Sequence, residues 1–244
     1  MEESMKYIAS CSFGKDSLAM LIKIKELNMP LDEVVYVDIR FDEEISGETP
    51  EMAAFIQKAE RILSEQFNIT VKHLRGVTFK EHFYRKKTRG KHVGDYYGVP
   101  FPRAPWCNSK LKLEPLKRYF NSFDEPVIQY VGIAYDEPDR YARLNKETHI
   151  APLYDLHITE EEAMNICQQY DLVSPAYETS DRGGCWFCPQ KRMRQWKHLY
   201  DNHRDLWDKV KEMEKDSHNL FYNGTPLPKL EERFEKQNNQ ENAK

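Results

Sequence analysis

An α/β fold, built on a doubly wound and mostly parallel sheet with a helical C-terminal extension, is what this 244-residue sequence predicts. Three observations lead there. Short apolar runs alternate with longer amphipathic ones through the N-terminal two-thirds. Two of the short runs, Val34–Ile39 (VVYVDI) and Val127–Ile133 (VIQYVGI), are nearly continuous in apolar and β-branched residues, which suits strands buried on both faces. Strands separated by helices imply right-handed βαβ crossovers and therefore parallel pairing.

The elements follow in order. Lys6–Ala9 reads as a short strand, Ser10–Ser17 (SCSFGKDS) as a polar turn and Leu18–Leu27 as an amphipathic helix. Asn28-Met29-Pro30 ends that helix, because proline cannot continue it. Thr49–Gln66 is a helix with Thr49 as N-cap and Pro50 in the first turn. Ile69–His73 is a further short strand, and Thr78–Pro105 is a long insertion rich in basic and aromatic residues. Beyond it, Thr159 precedes a helix over Glu160–Tyr170 with an acidic first turn. A Gly/Cys-rich turn follows at Arg182–Pro189, then helical pattern from Arg192 to Lys215. The polar segment Glu231–Lys244 is expected to fray into solvent. The domain expectation is a nucleotide-binding α/β domain over 1–150, a helical region over 151–230 that carries the cysteine turn, and a flexible tail over 231–244.

Composition narrows the function. The chain is 40% hydrophobic and 31% charged with 10 Gly and 13 Pro, which excludes collagen-like and disordered classes. Lys plus Arg is 36 against 40 Asp plus Glu, a net charge of −4. That argues against a whole-surface electrostatic nucleic-acid binder while leaving room for a local basic patch. No apolar run approaches the roughly 18 residues of a membrane span, and Met1–Tyr7 lacks a signal-peptide core. A soluble cytoplasmic protein with no membrane partner is expected. In that reducing compartment, five cysteines serve as metal ligands or thiols more often than as disulfides.

Ser10–Ser17 lies between a strand and a helix, where open α/β sheets bind ligands. A helix N-terminus there offers backbone N–H groups and a positive dipole end to an anion. Lys15 adds a point charge, and Ser12 and Ser17 add hydroxyls. The segment lacks the glycine spacing of a Walker A loop. Without further information, a plain strand–helix turn with a capping Asp or Ser explains it equally well.

The pattern Ser-Phe-Gly-Lys-Asp-Ser at Ser12–Ser17 resembles the S-x-G-K-D-S loop of PP-loop ATP pyrophosphatases, in the form found in the phosphoadenosine phosphosulfate (PAPS) reductase family. Five more segments resemble that family in the same order. They are Gly47–Ile56, Trp106–Leu116 (WCNSKLKLEPL), Gly132–Arg140 (GIAYDEPDR), Pro152–Tyr177 and Arg182–Pro189 (RGGCWFCP). The resemblance implies an adenine-nucleotide α-hydrolase fold that binds ATP or an adenylyl sulfate. Ser12, Phe13, Gly14, Lys15, Asp16 and Ser17 would cradle the phosphates, and Asp38 and Gly132 would lie near the nucleotide. Lys112, Arg140 and Arg143 are candidates to neutralise phosphate charge, with Lys15, Asp16, Lys112 and Arg140 as the catalytic set. Asp136 and Glu137 are candidates to hold Mg2+ together with substrate oxygens. For the arginines and acids, ordinary surface salt bridges or helix capping are the competing readings.

Cys185-x-x-Cys188 has the bite for two thiolates on one metal or cluster, and Gly183, Gly184 and Pro189 suit the tight turn. Zn2+, an iron–sulfur cluster and a redox pair are all open to it, the last weakened by the absence of thioredoxin-like context. The resemblance puts Cys107 near the active-site mouth as a third ligand. Three thiolates without a fourth suit a [4Fe-4S] cluster with one open iron, as in PP-loop sulfurtransferases. A Cys3His Zn2+ site completed by His198 or His203 is the alternative. Cys11 and Cys167 look less functional: Cys11 lies in the phosphate loop, where a small residue is needed and its thiol would be exposed, and Cys167 lies on an apolar helix face as a buried structural thiol.

One departure matters. The reductases carry a nucleophilic cysteine in a C-terminal Glu-Cys-Gly-x-His segment, and no cysteine follows Cys188. That favours ATP-dependent adenylation of an acceptor for sulfur transfer over reduction of an adenylyl sulfate or non-catalytic nucleotide binding. Arg85–His92 (RKKTRGKH) with Tyr96, Tyr97, Phe101 and Trp106, and the segment Arg192–His203, could bind a phosphate backbone and stack bases. A solvated loop with aromatics folded inward is the plainer reading. An adenine nucleotide, a nucleic-acid substrate and a second copy of the chain are the partners the sequence brings into view.

Overall fold

Runs that are apolar on both faces form the centre of the sheet. In the computed structural model, which describes residues 5–178, 183–222 and 224–242, β1 (Lys6–Cys11) leads through a turn into α1 (Lys15–Glu26). Next come β2 (Glu33–Val37), α2 (Pro50–Phe67), β3 (Val71–Leu74) and α3 (Phe79–Phe83). A π-helical turn over Asn108–Leu113 runs into α4 (Glu114–Phe120), followed by β4 (Val127–Tyr130) and α5 (Pro138–Ala142). The short β5 (His149–Ile150) precedes α6 (Pro152–Asp155) and α7 (Glu160–Gln169). Helices α8 (Met193–Asn202), α9 (Arg204–Glu214) and α10 (Leu227–Asn242) complete the chain. Met1–Ser4, Arg182 of the cysteine motif and the last two residues of the chain lie outside the described residues.

The five strands are all parallel, in the order β3-β2-β1-β4-β5. The chain steps outward from β1 through β2 to β3, then crosses back to β4 on the other side of β1. The carboxyl ends of β1 and β4 therefore flank the topological switch point, where doubly wound sheets bind ligands. Ala9 pairs with Val34 on one side and Tyr130 on the other, and it is fully buried. β5, two residues long, has no apolar run to announce it in the sequence.

Two compact units share the chain, each assembled from discontinuous segments. The first comprises Met1–Asp38, Pro50–Arg75 and Glu114–Gly183 and contains the whole sheet. Its core gathers Leu18, Met20, Leu21 and Ile24 of α1, Phe55 and Leu63 of α2, and Ala163 and Cys167 of α7. The second comprises Ile39–Thr49, Gly76–Leu113 and Gly184–Lys244. Its core is aromatic: Phe79, Phe83, Trp186, Trp196, Trp207, Phe221 and Phe234 are all fully buried.

Three local expectations change. The helical pattern over 192–215 is two helices, broken at His203, whose backbone (φ −137, ψ 61) leaves the helical region. The segment expected to fray from Glu231 lies in α10, because Leu227, Leu230 and Phe234 form a buried stripe at helical spacing within an otherwise polar sequence. Cys11, expected to expose its thiol in the loop, is buried instead. Among the described residues, no helix is long and apolar enough to cross a membrane.

Candidate functional site

The loop after β1 is shaped by one buried side chain. Phe13 takes φ +55, a left-handed posture uncommon for a residue with a Cβ. Its ring is fully buried, edge-on to Tyr36 with centroids 5.0 Å apart. Ser17 ties the loop together: its hydroxyl donates to the Gly14 carbonyl at 2.9 Å and accepts from the Ser12 N–H at 3.1 Å. Gly14 caps α1 without a side-chain bond, so the first turn keeps N–H donors and a positive dipole end for an anion.

Lys15 is buried, with Nζ 3.0 Å from Asp16 Oδ1 and 2.8 Å from Glu160 Oε2. Burial would lower the Lys15 ammonium, but Glu160 and Asp16 outweigh it and hold the group above its ordinary range. Burial raises the Asp16 carboxyl despite the Lys15 charge beside it. The backbone N–H of Lys15 donates to the Tyr177 hydroxyl at 2.9 Å, while Cys167 Sγ donates to the Lys15 carbonyl at 3.3 Å. Burial lifts the Cys167 and Cys11 thiols to about 12, so both are neutral packing groups.

At the end of β4, Gly132 lies directly against this turn. A Cβ there would sit 2.9 Å from the Asp16 carbonyl carbon and the Ser17 nitrogen, closer than real Cβ atoms come to backbone. Asp38, just past β2, is buried and accepts from Arg75 Nε at 2.7 Å. Glu137 accepts from one Arg140 nitrogen on both oxygens, at 2.8 and 2.7 Å, and its Oε2 also accepts the Ala134 N–H at 3.3 Å. Arg143 Nε donates to the Asp139 carbonyl at 2.9 Å, and Asp136 Oδ1 accepts the Glu160 N–H at 3.0 Å. Both arginines are exposed. Lys112, on the π-helical turn, is exposed and belongs to the second unit.

The second unit holds Cys107, Cys185 and Cys188. The Cys188 N–H donates to the Cys185 carbonyl at 3.1 Å and closes the turn. Between the cysteines, Trp186 is fully buried and Phe187 nearly so. The Trp186 N–H reaches the Gly47 carbonyl at 2.9 Å and its Nε1 the Ser46 carbonyl at 2.8 Å. Phe187 packs on Phe79 at 4.2 Å between centroids, and Phe79 stacks on Trp106, next to Cys107, at 5.2 Å.

The thiols sense one another. Burial and then the Cys188 charge push Cys107 up to about 11. Cys185 stands well above its usual range through burial, with Glu48, Cys188 and Cys107 adding to it. Lys191 is lowered by burial beside Cys188 and Cys185. A protein-only pocket of this kind disfavours thiolates, whereas a bound cationic centre would deprotonate them. The donor set fits a group that wants several thiolates. His198 and His203, the alternative fourth ligands, meet edge to face at 5.9 Å between ring centroids at the junction of α8 and α9.

Of the expected residues, Ser12–Ser17 and Gly132 gather at the switch point, and the three cysteines gather in the second unit. Sequence reasoning missed Tyr177 and Glu160 as partners of Lys15. Both stood in the motif-bearing segment Pro152–Tyr177, but only folding brings residues so distant in sequence to the loop.

The phosphoadenosine phosphosulfate reductase domain family matches residues 6–191. Among curated proteins, Uncharacterized protein MJ0066 of Methanocaldococcus jannaschii is 28% identical over 215 residues, covering 81% of this chain and 39% of that protein. The chain thus spans about two-fifths of the length of that relative. Among solved structures, the U34-tRNA thiolase NcsA of Methanococcus maripaludis with its [4Fe-4S] cluster covers 96% of this chain and 72% of its own, at 15% identity and a TM-score of 0.45. A likeness at that level speaks neither to substrate nor to cluster in this chain.

Proposed function

Because the chain belongs to the phosphoadenosine phosphosulfate reductase domain family, we propose that it binds ATP at Ser12–Ser17 and adenylates an acceptor for sulfur transfer. The observation that carries this reading is the turn itself. The N–H groups at the start of α1, one of them now donated to Tyr177, the Ser12 and Ser17 hydroxyls and the buried Lys15 ammonium lie together at the switch point, and the Gly132 backbone packs where no side chain fits.

The acceptor oxygen attacks the α-phosphorus, the bond to the β-bridging oxygen breaks, and pyrophosphate leaves with the electron pair. Lys15 and the N–H groups of α1 bind the β and γ phosphates, where negative charge grows in the transition state. Asp16 orients Lys15 through its contact at 3.0 Å. Arg140 and Arg143 supply further positive charge, which for Arg140 requires release from Glu137. Asp38 and Gly132 border the nucleoside. Mg2+ would be held chiefly by phosphate oxygens, with Asp136 and Glu137 contributing. A sulfur nucleophile then displaces AMP from the activated acceptor.

Cys107, Cys185 and Cys188 would hold a [4Fe-4S] cluster, whose open iron supplies a binding point for sulfur when present. Zn2+ is the alternative at the same residues. The exposed basic run at 85–91 favours an RNA or other polyanionic acceptor.

Pyrophosphate release from ATP, with and without RNA or DNA, tests the reading. Lys15→Ala should lower the rate by about 10²–10³, as loss of a charge-stabilising donor does. Absence of pyrophosphate with every acceptor would overturn adenylation. Iron and zinc content after anaerobic purification tests the cluster, and a colourless zinc-loaded protein would remove it.

A further inference from the structure

Away from the three cysteines, the second unit brings together a different set of metal-binding side chains. Among the described residues, His92, Asp95 and His218 are the one group of three whose ligand atoms all lie within 4.8 Å of one another. His218 Nε2 is 2.8 Å and His92 Nδ1 3.5 Å from the same Asp95 oxygen, Oδ2. The imidazole rings stack at 4.5 Å between centroids and 27° between planes. All three side chains are open to solvent, at 40%, 46% and 56% exposure for His92, Asp95 and His218.

The backbone holds the two arms of this group in place without help from the three side chains. His92 and Asp95 occupy the tip of a hairpin: the Lys87 N–H reaches the Asp95 carbonyl at 2.8 Å, and the Gly94 N–H reaches the Lys87 carbonyl at 2.9 Å. Lys86 and Tyr96 pair as an antiparallel bridge below it. The tip depends on left-handed backbone at His92 (φ +65) and Gly94 (φ +91). His218 sits in the segment after α9, which is fastened to the foot of the same hairpin. Ser217 Oγ accepts the Val99 N–H at 2.8 Å, and Asn219 Nδ2 donates to the Val99 carbonyl at 3.0 Å. Gly98 lies so close that a Cβ would come within 2.5 Å of Ser217 Oγ. Tyr84 adds a bond to Asp216 at 3.1 Å.

We propose that His92, Asp95 and His218 form a divalent transition-metal site, with Zn2+ as the best-suited ion, that staples the hairpin tip to the segment after α9. Two imidazoles and a carboxylate are the donor set that borderline ions such as Zn2+ prefer over Mg2+ or Ca2+. Metal–ligand bonds of about 2.0–2.2 Å put tetrahedral ligands about 3.3–3.6 Å apart; the His92–Asp95 separation, 3.5 Å, already falls in that range, and the His218–Asp95 separation, 2.8 Å, needs only a small opening to admit the ion. Asp95 supplies the negative charge. Arg89 and Lys91 beside His92 oppose a cation, but they are exposed and screened within about 10 Å at ordinary ionic strength. Three protein ligands leave a coordination position for water.

The site is independent of the nucleotide and cysteine chemistry proposed above, and its test can be read without activity. The full-length chain is dialysed against micromolar Zn2+ and its zinc and iron are counted, alongside His92→Ala, Asp95→Asn and His218→Ala. Each variant should lose the same single equivalent of zinc and keep its iron. With Co2+ as the probe, the parent-minus-His218→Ala difference spectrum should carry ligand-field bands of a nitrogen–oxygen site and no sulfur-to-cobalt charge transfer. Hydrogen exchange at 86–96 should slow on Zn2+ addition in the parent and stay unchanged in the variants. Equal zinc in parent and variants, or thiolate charge transfer in the difference spectrum, overturns the proposal.

Discussion

The phosphate loop at 12–17 and the cysteine turn at 185–188 both ask a short stretch of backbone to present several groups at one point, and different forces hold them. The loop is fastened by hydrogen bonds among near neighbours: Ser17 to Gly14 and Ser12, all within six residues. The cysteine turn is fastened by burial, with Trp186 and Phe187 driven into an aromatic core built from residues far away in sequence. A site held by local hydrogen bonds should lose function before it loses its fold. One held by a buried tryptophan should lose both together.

Trp186→Ala probes the larger side of that contrast. It deletes a fully buried indole and leaves the Ser46 carbonyl without its Nε1 donor at 2.8 Å. The expected cost is about 3–5 kcal/mol, read as a lower denaturation midpoint, with loss of whatever metal the cysteines bind. Near-native stability with the metal retained would mean that the turn is held by its own backbone, as the loop is.

Gly132→Ala acts on the loop from β4. The added methyl meets the Asp16 and Ser17 backbone at 2.9 Å, and backbone cannot swing aside as a flexible side chain would. Overpacking of this kind costs about 1–3 kcal/mol. Since 1.4 kcal/mol is tenfold in affinity, calorimetric ATP binding should weaken about tenfold or more while the aromatic core is untouched. Gly183→Ala, whose Cβ meets nothing within 4 Å, is the control. Equal binding in the two variants would detach Gly132 from the nucleotide loop.

The same contrast accounts for what the sequence could disclose. The parallel sheet and the loop were legible because their signals are local: β-branched runs at 34–37 and 127–130, and a Ser-x-Gly-Lys-Asp-Ser string between a strand and a helix. β5 was not legible, being two residues long, nor was α10, whose three apolar contacts are diluted by thirteen other residues. The cysteine turn could be read as a ligand motif, but joining Cys107 to it needed a family resemblance, since no local pattern spans nearly eighty residues. His92, Asp95 and His218 were invisible for the same reason. Their meeting depends on Ser217 and Asn219 bonding to Val99, a tertiary fact with no periodicity behind it.

Tyr177 offers the smallest effect and the finest test of the loop. Its hydroxyl accepts the Lys15 N–H at 2.9 Å, thereby occupying one of the donors that an anion at the start of α1 would use. Burial raises the Tyr177 phenol above its ordinary range, although the Lys15 N–H and charge pull the other way. The group is therefore neutral at pH 7 and can both accept and donate. If the hydroxyl only competes with phosphate, Tyr177→Phe removes a competitor worth about 1 kcal/mol, and ATP binding should tighten about fivefold. If it turns outward to donate to a phosphate oxygen once nucleotide enters, the same substitution should weaken binding by a similar factor. The aromatic ring stays in either case, so packing is held constant and the sign alone decides. We expect tightening, because the Lys15 N–H, at the start of α1, is a donor that the helix dipole aims at an anion.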